Sequence, residues 1–233
     1  MKLQTSITLD AGHGGHDPGA LSPRGLREKD VALKVCLRIA ALLQPVMPVH
    51  LTRSDDRFIE LAERAAIVNR NGSAFFLSVH CNSGPPGQGS GFEVFTTRGE
   101  TAADIFAIDL FREFAGEFPD HAKRMDLSDG DEDKEADFAV LRHSRMPAAL
   151  FELEFIHTER GHQLLSDPAV QERMARALAR GIYRHTSGGL ELFPAVAPPA
   201  AVVPTQSPER LSLPAKEAAE LRSACRRVLE LLP

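Results

Sequence analysis

Residues 7–20 read ITLDAGHGGHDPGA. A short apolar and β-branched run, Ile7-Thr8-Leu9, meets Asp10 and then a loop in which Gly12, Gly14, Gly15 and Gly19 alternate with His13, His16 and Asp17. A strand that breaks into so many glycines must turn sharply or bring backbone close to another group. Loops at the carboxyl ends of strands are where open α/β sheets hold ligands. The stretch also reads as a Gly-rich turn with solvated histidines, and taken alone it leaves both readings open.

The rest of the chain continues the pattern that this first strand begins. Strands are expected over 5–10, 49–53, 74–80, 91–96, 136–141 and 149–155. Helices are expected over 29–44, 58–71 and 101–116, with a further helix opening at Asp167-Pro168, a capping Asp followed by Pro at the first helical position. Asp30, Lys34 and Arg38 recur every four residues, which predicts one wet stripe on a largely buried helix. Leu61, Ala65 and Val68 mark the apolar side of the second helix, and Val170, Met174, Ala177, Leu178 and Ile182 that of the last. The run AFFLSVH (74–80) is apolar enough for an interior strand. Residues 117–135 are polar and acidic and read as a surface loop. Strands alternating with helices predict an α/β fold: a twisted, mostly parallel sheet of about six strands with helices on both faces.

Composition shifts near residue 187. Residues 187–211 are rich in Pro and Ala and read as an extended linker. Residues 212–233 carry Leu221, Cys225, Val228 and Leu232 at helical spacing, which predicts a short amphipathic helix. Its apolar stripe suits docking on the preceding domain or weak self-association. The expected organisation is thus a folded α/β domain over 1–186, a linker over 187–211 and a C-terminal helix over 212–233.

A formal net charge of -5 and the lack of a basic run argue against nucleic acid as a partner. Nothing approaches transmembrane length, so no membrane insertion is expected. Cys36, Cys81 and Cys225 give no disulfide framework and suit a reducing compartment. The N-terminus enters a strand without an apolar signal core. Synthesis in the cytoplasm is expected, unless a leader was removed upstream.

Three metal-competent side chains, His13, Glu28 and His80, stand at strand ends or loop starts facing one sheet edge. Two His and one carboxylate make an open catalytic zinc set, but the long spacing alone does not distinguish ligands from solvated side chains.

ITLDAGHGGHDPGA, REKD, LTRSDD, FLSVHCNS and PAALFELEFIHT occur in order. Together they resemble the motif series of zinc-dependent N-acetylmuramoyl-L-alanine amidases, which include cell-separation amidases and phage endolysins. The resemblance spans roughly residues 5–186. It implies that His13, Glu28 and His80 hold Zn2+ and that Glu152 is the catalytic base. The implied reaction is cleavage of the amide between N-acetylmuramic acid and L-alanine in peptidoglycan, by a phage endolysin or an autolysin acting on the wall after release. An inactive wall-binding or regulatory module is the alternative, and the presence of all four residues favours the enzyme. Family members can carry a helix that plugs the site. Here the acidic stretch before residue 136 has little apolar surface, so an open site is expected.

The chain departs from the family pattern at Glu154, where a glycine is usual. Positions two apart on a strand share a face, so Glu154 either joins Glu152 at the site or faces solvent past the strand end. Asp10 and Asn82 could orient the metal histidines. Arg53 and Arg64 could brace the site, a structural ion pair being the expected role. His16 is expected to face solvent or substrate, His157 and His162 to lie at the surface, and Cys81 to lie in the core. Asp129–Asp133 lack calcium-loop spacing and read as a solvated loop.

Overall fold

The computed structural model describes residues 3–85, 88–128 and 130–188. The expected linker and C-terminal helix lie outside the described residues, apart from the end of the last helix. Six strands and six helices are described. In chain order they are β1 (Ile7–Ala11), α1 (Glu28–Leu43), β2 (Val49–Leu51), α2 (Leu61–Asn71), β3 (Phe75–Asn82) and β4 (Glu93–Thr96). There follow α3 (Ala102–Glu117), β5 (Lys134–Glu135), α4 (Ala139–Arg142), β6 (Ala148–Phe155), α5 (Glu159–Ser166) and α6 (Pro168–Ser187).

The strands form one sheet in the order β2-β1-β3-β6-β4-β5. All pairings are parallel except β4 with β6. The α/β fold with a mostly parallel sheet is therefore as the alternation predicts, and β3 is interior as its apolar run requires. β1 is buried at every position, Thr8 and Asp10 included. Helices α1, α3 and α6 pack together on one face. There Phe92, Phe114 and Phe151 interlock, with ring centroids 4.7 Å and 4.8 Å apart. Each ring removed from water contributes about 2–3 kcal/mol. The other face carries the smaller cover of α2 and α4, whose Val68, Val140 and Leu141 pack on Phe76, Ala148 and Leu150. That thinner cover leaves the carboxyl ends of β1, β3 and β6 open.

Several expectations need correction. ADFAVL (136–141) is not a strand: its second half is the single turn α4. Val140 and Leu141 are both buried, which adjacent positions on a one-sided strand cannot be. Nor is 117–135 wholly a surface loop. Its end is β5, where Lys134 and Glu135 pair with Phe95 and Thr96. Asp133 is only 3% exposed and accepts a 2.7 Å hydrogen bond from the Thr96 hydroxyl, so it is not solvated. Helix α5 has no counterpart in the sequence reading. Leu61 is exposed although Ala65 and Val68 on the same helix are buried. Cys36 and Cys81 are buried free thiols, and no described helix is long and apolar enough to cross a membrane.

Burial, with the neighbouring Asp131 carboxylate, pushes Asp133 up from the ordinary aspartate value to about 7. The folded chain then keeps a proton that the unfolded chain releases near pH 4, so stability falls as pH rises from about 4 to about 7. Asp133→Asn should remove most of this slope. It should raise stability at pH 8 by about 1–2 kcal/mol, read from urea unfolding at pH 5 and pH 8. A variant no more stable than the parent at pH 8 would contradict the burial argument.

Candidate metal centre and active site

Parallel strands bring the site together. β3 lies between β1 and β6, and His80 and Glu152 are register partners across β3 and β6. The Gly-rich loop leaves β1 beside them and returns to α1 through Glu28, which is 3% exposed. The result is a cluster of His13, Glu28 and His80 whose candidate ligand atoms all lie within 4.8 Å of one another.

Glu28 is the centre of this cluster. Its Oε1 lies 2.9 Å from His80 Nδ1 and 3.1 Å from His13 Nε2. The same oxygen accepts from the Cys81 backbone N–H at 3.0 Å, while Oε2 accepts from Ala20 N–H at 2.8 Å. His13 Nδ1 donates to Asp17 at 2.7 Å, which fixes the ring. The Gly-rich sequence is explained here. A Cβ at Gly12 would come within 2.2 Å of the His80 ring, and one at Gly19 within 2.6 Å of Glu28 Oε2. His13 itself takes φ 59, a left-handed conformation that L-residues rarely adopt and that clusters at functional sites.

Charge in the metal-free cluster follows from these contacts. Burial opposes ionisation of His13, but Glu28 and then Asp17 outweigh it and raise its pKa to about 9. Burial likewise opposes ionisation of Glu28, and the two histidines outweigh it, holding the carboxyl well below its usual range. Protons on two imidazoles thus hold one buried carboxylate together. A divalent cation meets the same donors and would replace those protons, so two imidazoles and one carboxylate fit such an ion.

Glu152 stands next to the cluster. Its Oε2 is buried and has no hydrogen-bond partner. Burial first, then the nearby Glu28 and Glu93 carboxylates, lift its pKa to about 7 against the pull of His80. His13, His80 and Glu152 share a cleft of about 490 Å³ with Phe58, Leu61 and Phe138. The exposure of Leu61 belongs to that cleft.

Other residues sit differently from expectation. Glu154 is fully buried and neither faces solvent nor joins the cluster. Its Oε1 accepts from the N–H groups of Gly91 (2.6 Å) and Phe155 (2.9 Å). A register shift between β3 and β6 after His80 separates its surroundings from those of Glu152. Asn82 donates to Glu93 rather than to a histidine. Asp10 also bonds no histidine. It accepts from Thr52 (2.6 Å), Arg64 (2.7 Å) and Ser78 (2.8 Å) and ties β1 to its neighbours. Arg64 therefore makes the expected ion pair. Arg53 does not: it donates to the carbonyls of Ala11, Gly12, Lys29 and Asp55 and shapes the loop backbone. His16 is exposed beside the Phe58 ring, and Cys81 lies in the core. His162 meets Ser22, and His157 the 84–85 backbone. Asp17 is the partner that sequence reading missed. An acceptor four residues after a candidate ligand was the available signal.

The sequence model of the N-acetylmuramoyl-L-alanine amidase family matches residues 7–184. The chain is 35% identical over 178 residues to the endolysin of Bacillus phage SPP1, covering 76% of this chain and 64% of that one. It is 34% identical over 181 residues to the N-acetylmuramoyl-L-alanine amidase CwlM of Bacillus licheniformis, covering 76% and 67%. It thus spans about two thirds of the length of these curated relatives. The catalytic domain of the amidase CwlV from Bacillus (Paenibacillus) polymyxa superposes with a TM-score of 0.72 at 30% identity, over 79% of this chain and 99% of that one.

Proposed function

Because the chain belongs to the N-acetylmuramoyl-L-alanine amidase family, we propose that it hydrolyses the amide between N-acetylmuramic acid and L-alanine in peptidoglycan. The observation that carries this reading is an unpaired, buried Glu152 carboxyl beside the converging His13, Glu28 and His80. These three residues would hold Zn2+, and the ion when bound would supply Lewis-acid polarisation and charge neutralisation.

The chain's own groups divide the remaining work. Asp17 and Glu28 fix the His13 ring, and Glu28 fixes His80. Glu152, free of any hydrogen-bonded cation, takes the proton of the attacking water on its carboxylate and returns it to the departing amide nitrogen. An amine leaves poorly unless protonated, so the return step matters as much as the attack. Burial raises the affinity of this carboxyl for a proton, which suits a group that accepts one and then gives it up. The Phe58, Leu61 and Phe138 side of the cleft offers apolar surface to the lactyl and sugar portion.

The same reading assigns catalysis to residues 1–186 and leaves 187–211 and 212–233 as a linker and helix outside it. It makes the protein a phage endolysin or an autolysin. Hydrogen bonds hold residues 122–124 beside Phe92, just ahead of β4, as Phe92 N–H donates to Ala122 and Arg124 N–H to Phe92, which supports an open site. Purified dye-labelled sacculi should release dye with the protein, stop releasing it with a chelator and resume with added Zn2+. Sacculi left intact under all three conditions would overturn the proposal.

A further inference from the structure

A second feature continues the row of side chains that contains the catalytic glutamate. Glu93 on β4 is the register partner of Glu152 on β6, as Glu152 is of His80 on β3. The three side chains therefore stand abreast on one face of the sheet. Glu93 is 3% exposed, and its charge is met by two cations on its far side. Its Oε2 accepts from Arg124 Nε at 3.1 Å and from Lys134 Nζ at 2.7 Å. Asn82 donates to its other oxygen.

The two cations are built in. Lys134 belongs to β5, paired opposite Phe95. Arg124 is pinned by the backbone bonds that run 122–124 beside Phe92, and its guanidinium lies over the Phe155 ring, 4.9 Å from the centroid. Only its Nε is engaged by Glu93. Among the described residues no partner takes its two terminal nitrogens. Arg124, Lys134 and Lys123 line an open cleft of about 680 Å³ with Ser90 and Met125. No carboxylate among the described residues lines it. Buried Glu93 and the exposed Asp126, whose carboxylate acts on Lys134, stand against three cations, which leaves this cleft net positive in a chain of formal net charge -5.

Strand spacing gives the distance. Neighbouring strands lie about 4.8 Å apart, and both cations hydrogen-bond to Glu93, one strand from Glu152, so they stand roughly 5–10 Å beyond Glu152. An extended peptide advances about 3.4 Å per residue. That interval is about two residues past the scissile amide. Stem peptides carry L-alanine first and a D-glutamyl residue second, whose α-carboxyl is either free or amidated.

We propose that Arg124 and Lys134 form a carboxylate subsite that receives the free α-carboxylate of the stem peptide's second residue. The proposal rests on the amidase reading above and deepens it: the preferred substrate is a stem that is not amidated at that position. Glu93 is the positioning residue that sets the two cations.

Binding to the full zinc-loaded chain is read by calorimetry on two peptides already free of muramic acid. They are L-Ala-γ-D-Glu-L-Lys and its counterpart with a carboxamide in place of the α-carboxylate. The carboxylate peptide should bind about tenfold or more tightly, the scale of a charge-assisted hydrogen bond. Arg124→Gln should bring the ratio close to one, and Arg124→Lys should keep part of it. Affinity for the carboxamide peptide reports whether each variant is folded, and Lys134→Gln gives an independent second reading. Equal affinity of the two peptides for the parent chain, no binding of either, or a ratio unchanged in both charge-removing variants would overturn the subsite. Turnover of the matching muramoyl tripeptides is followed separately. Peptides that bind with the expected preference while the muramoyl forms stay uncut would sink the amidase reading and keep the subsite. Cleavage without preference would do the reverse.

Discussion

Glu152→Gln should lower the rate of amide cleavage by about 10²–10⁴-fold, the range for a positioned general acid–base group. The change keeps the shape of a side chain that sits beside the His13, Glu28 and His80 cluster without a hydrogen-bonded partner on Oε2. Metal content should therefore stay at the parent level, and so should the folded state. The amide can neither take the proton of water nor return it to the leaving nitrogen. Glu154→Gln makes the contrast. Glu154 accepts two backbone N–H groups in the core, so its loss should cost about 1–3 kcal/mol of stability while turnover per folded molecule persists. Steady-state rates and metal analysis on both variants decide the matter. A Glu152→Gln enzyme within tenfold of the parent would show that the proton moves through another group.

Glu28→Gln should weaken metal binding by more than about a hundredfold, beyond what loss of an outer hydrogen-bonding partner costs. The parent carboxylate gathers both imidazoles on one oxygen, and an amide cannot match that charge. Linked proton release is the second signature. In the metal-free chain Glu28 and Asp17 hold the His13 proton until about pH 9. Binding at pH 7.5 must expel it, so apparent affinity should rise with pH toward 9. Zinc titration calorimetry in buffers of different ionisation enthalpy reads this release, and activity should fall with metal content. Parent-level metal binding by the variant would remove Glu28 from the ligand set.

Much of this architecture is legible in the sequence, and the exceptions have physical causes. β1 and β3 are interior strands buried at all or most positions, so their first halves, Ile7–Leu9 and Phe75–Leu77, read as apolar and β-branched runs. The Asp167-Pro168 signal works because the cap is local: Asp167 accepts from Ala169 N–H at 2.8 Å. α4 is a single turn, too short to show a helical period, and its Val140 and Leu141 imitate a strand. β5 is two polar residues held by backbone bonds to β4, a pairing that side-chain pattern does not encode. At the site, His13, Glu28, His80 and Glu152 lie within recognisable motifs. The roles of Arg53 and Asn82 depend on which carbonyl or carboxylate the fold brings near, and spacing does not carry that. Glu93, Arg124 and Lys134 come from three separate segments and meet only through the β4-β5 pairing and the backbone bonds of 122–124 to Phe92.

On the proposed reading this chain cuts the muramoyl–alanine amide with a metal held by His13, Glu28 and His80. Mass analysis of purified peptidoglycan digested by the protein, with and without a chelator, tests it most directly. The expected products are intact glycan strands and free stem peptides beginning at L-alanine, lost with the chelator and restored by Zn2+. Fragments cut within the peptide or the glycan, or the same amide products undiminished by complete metal removal, would contradict it.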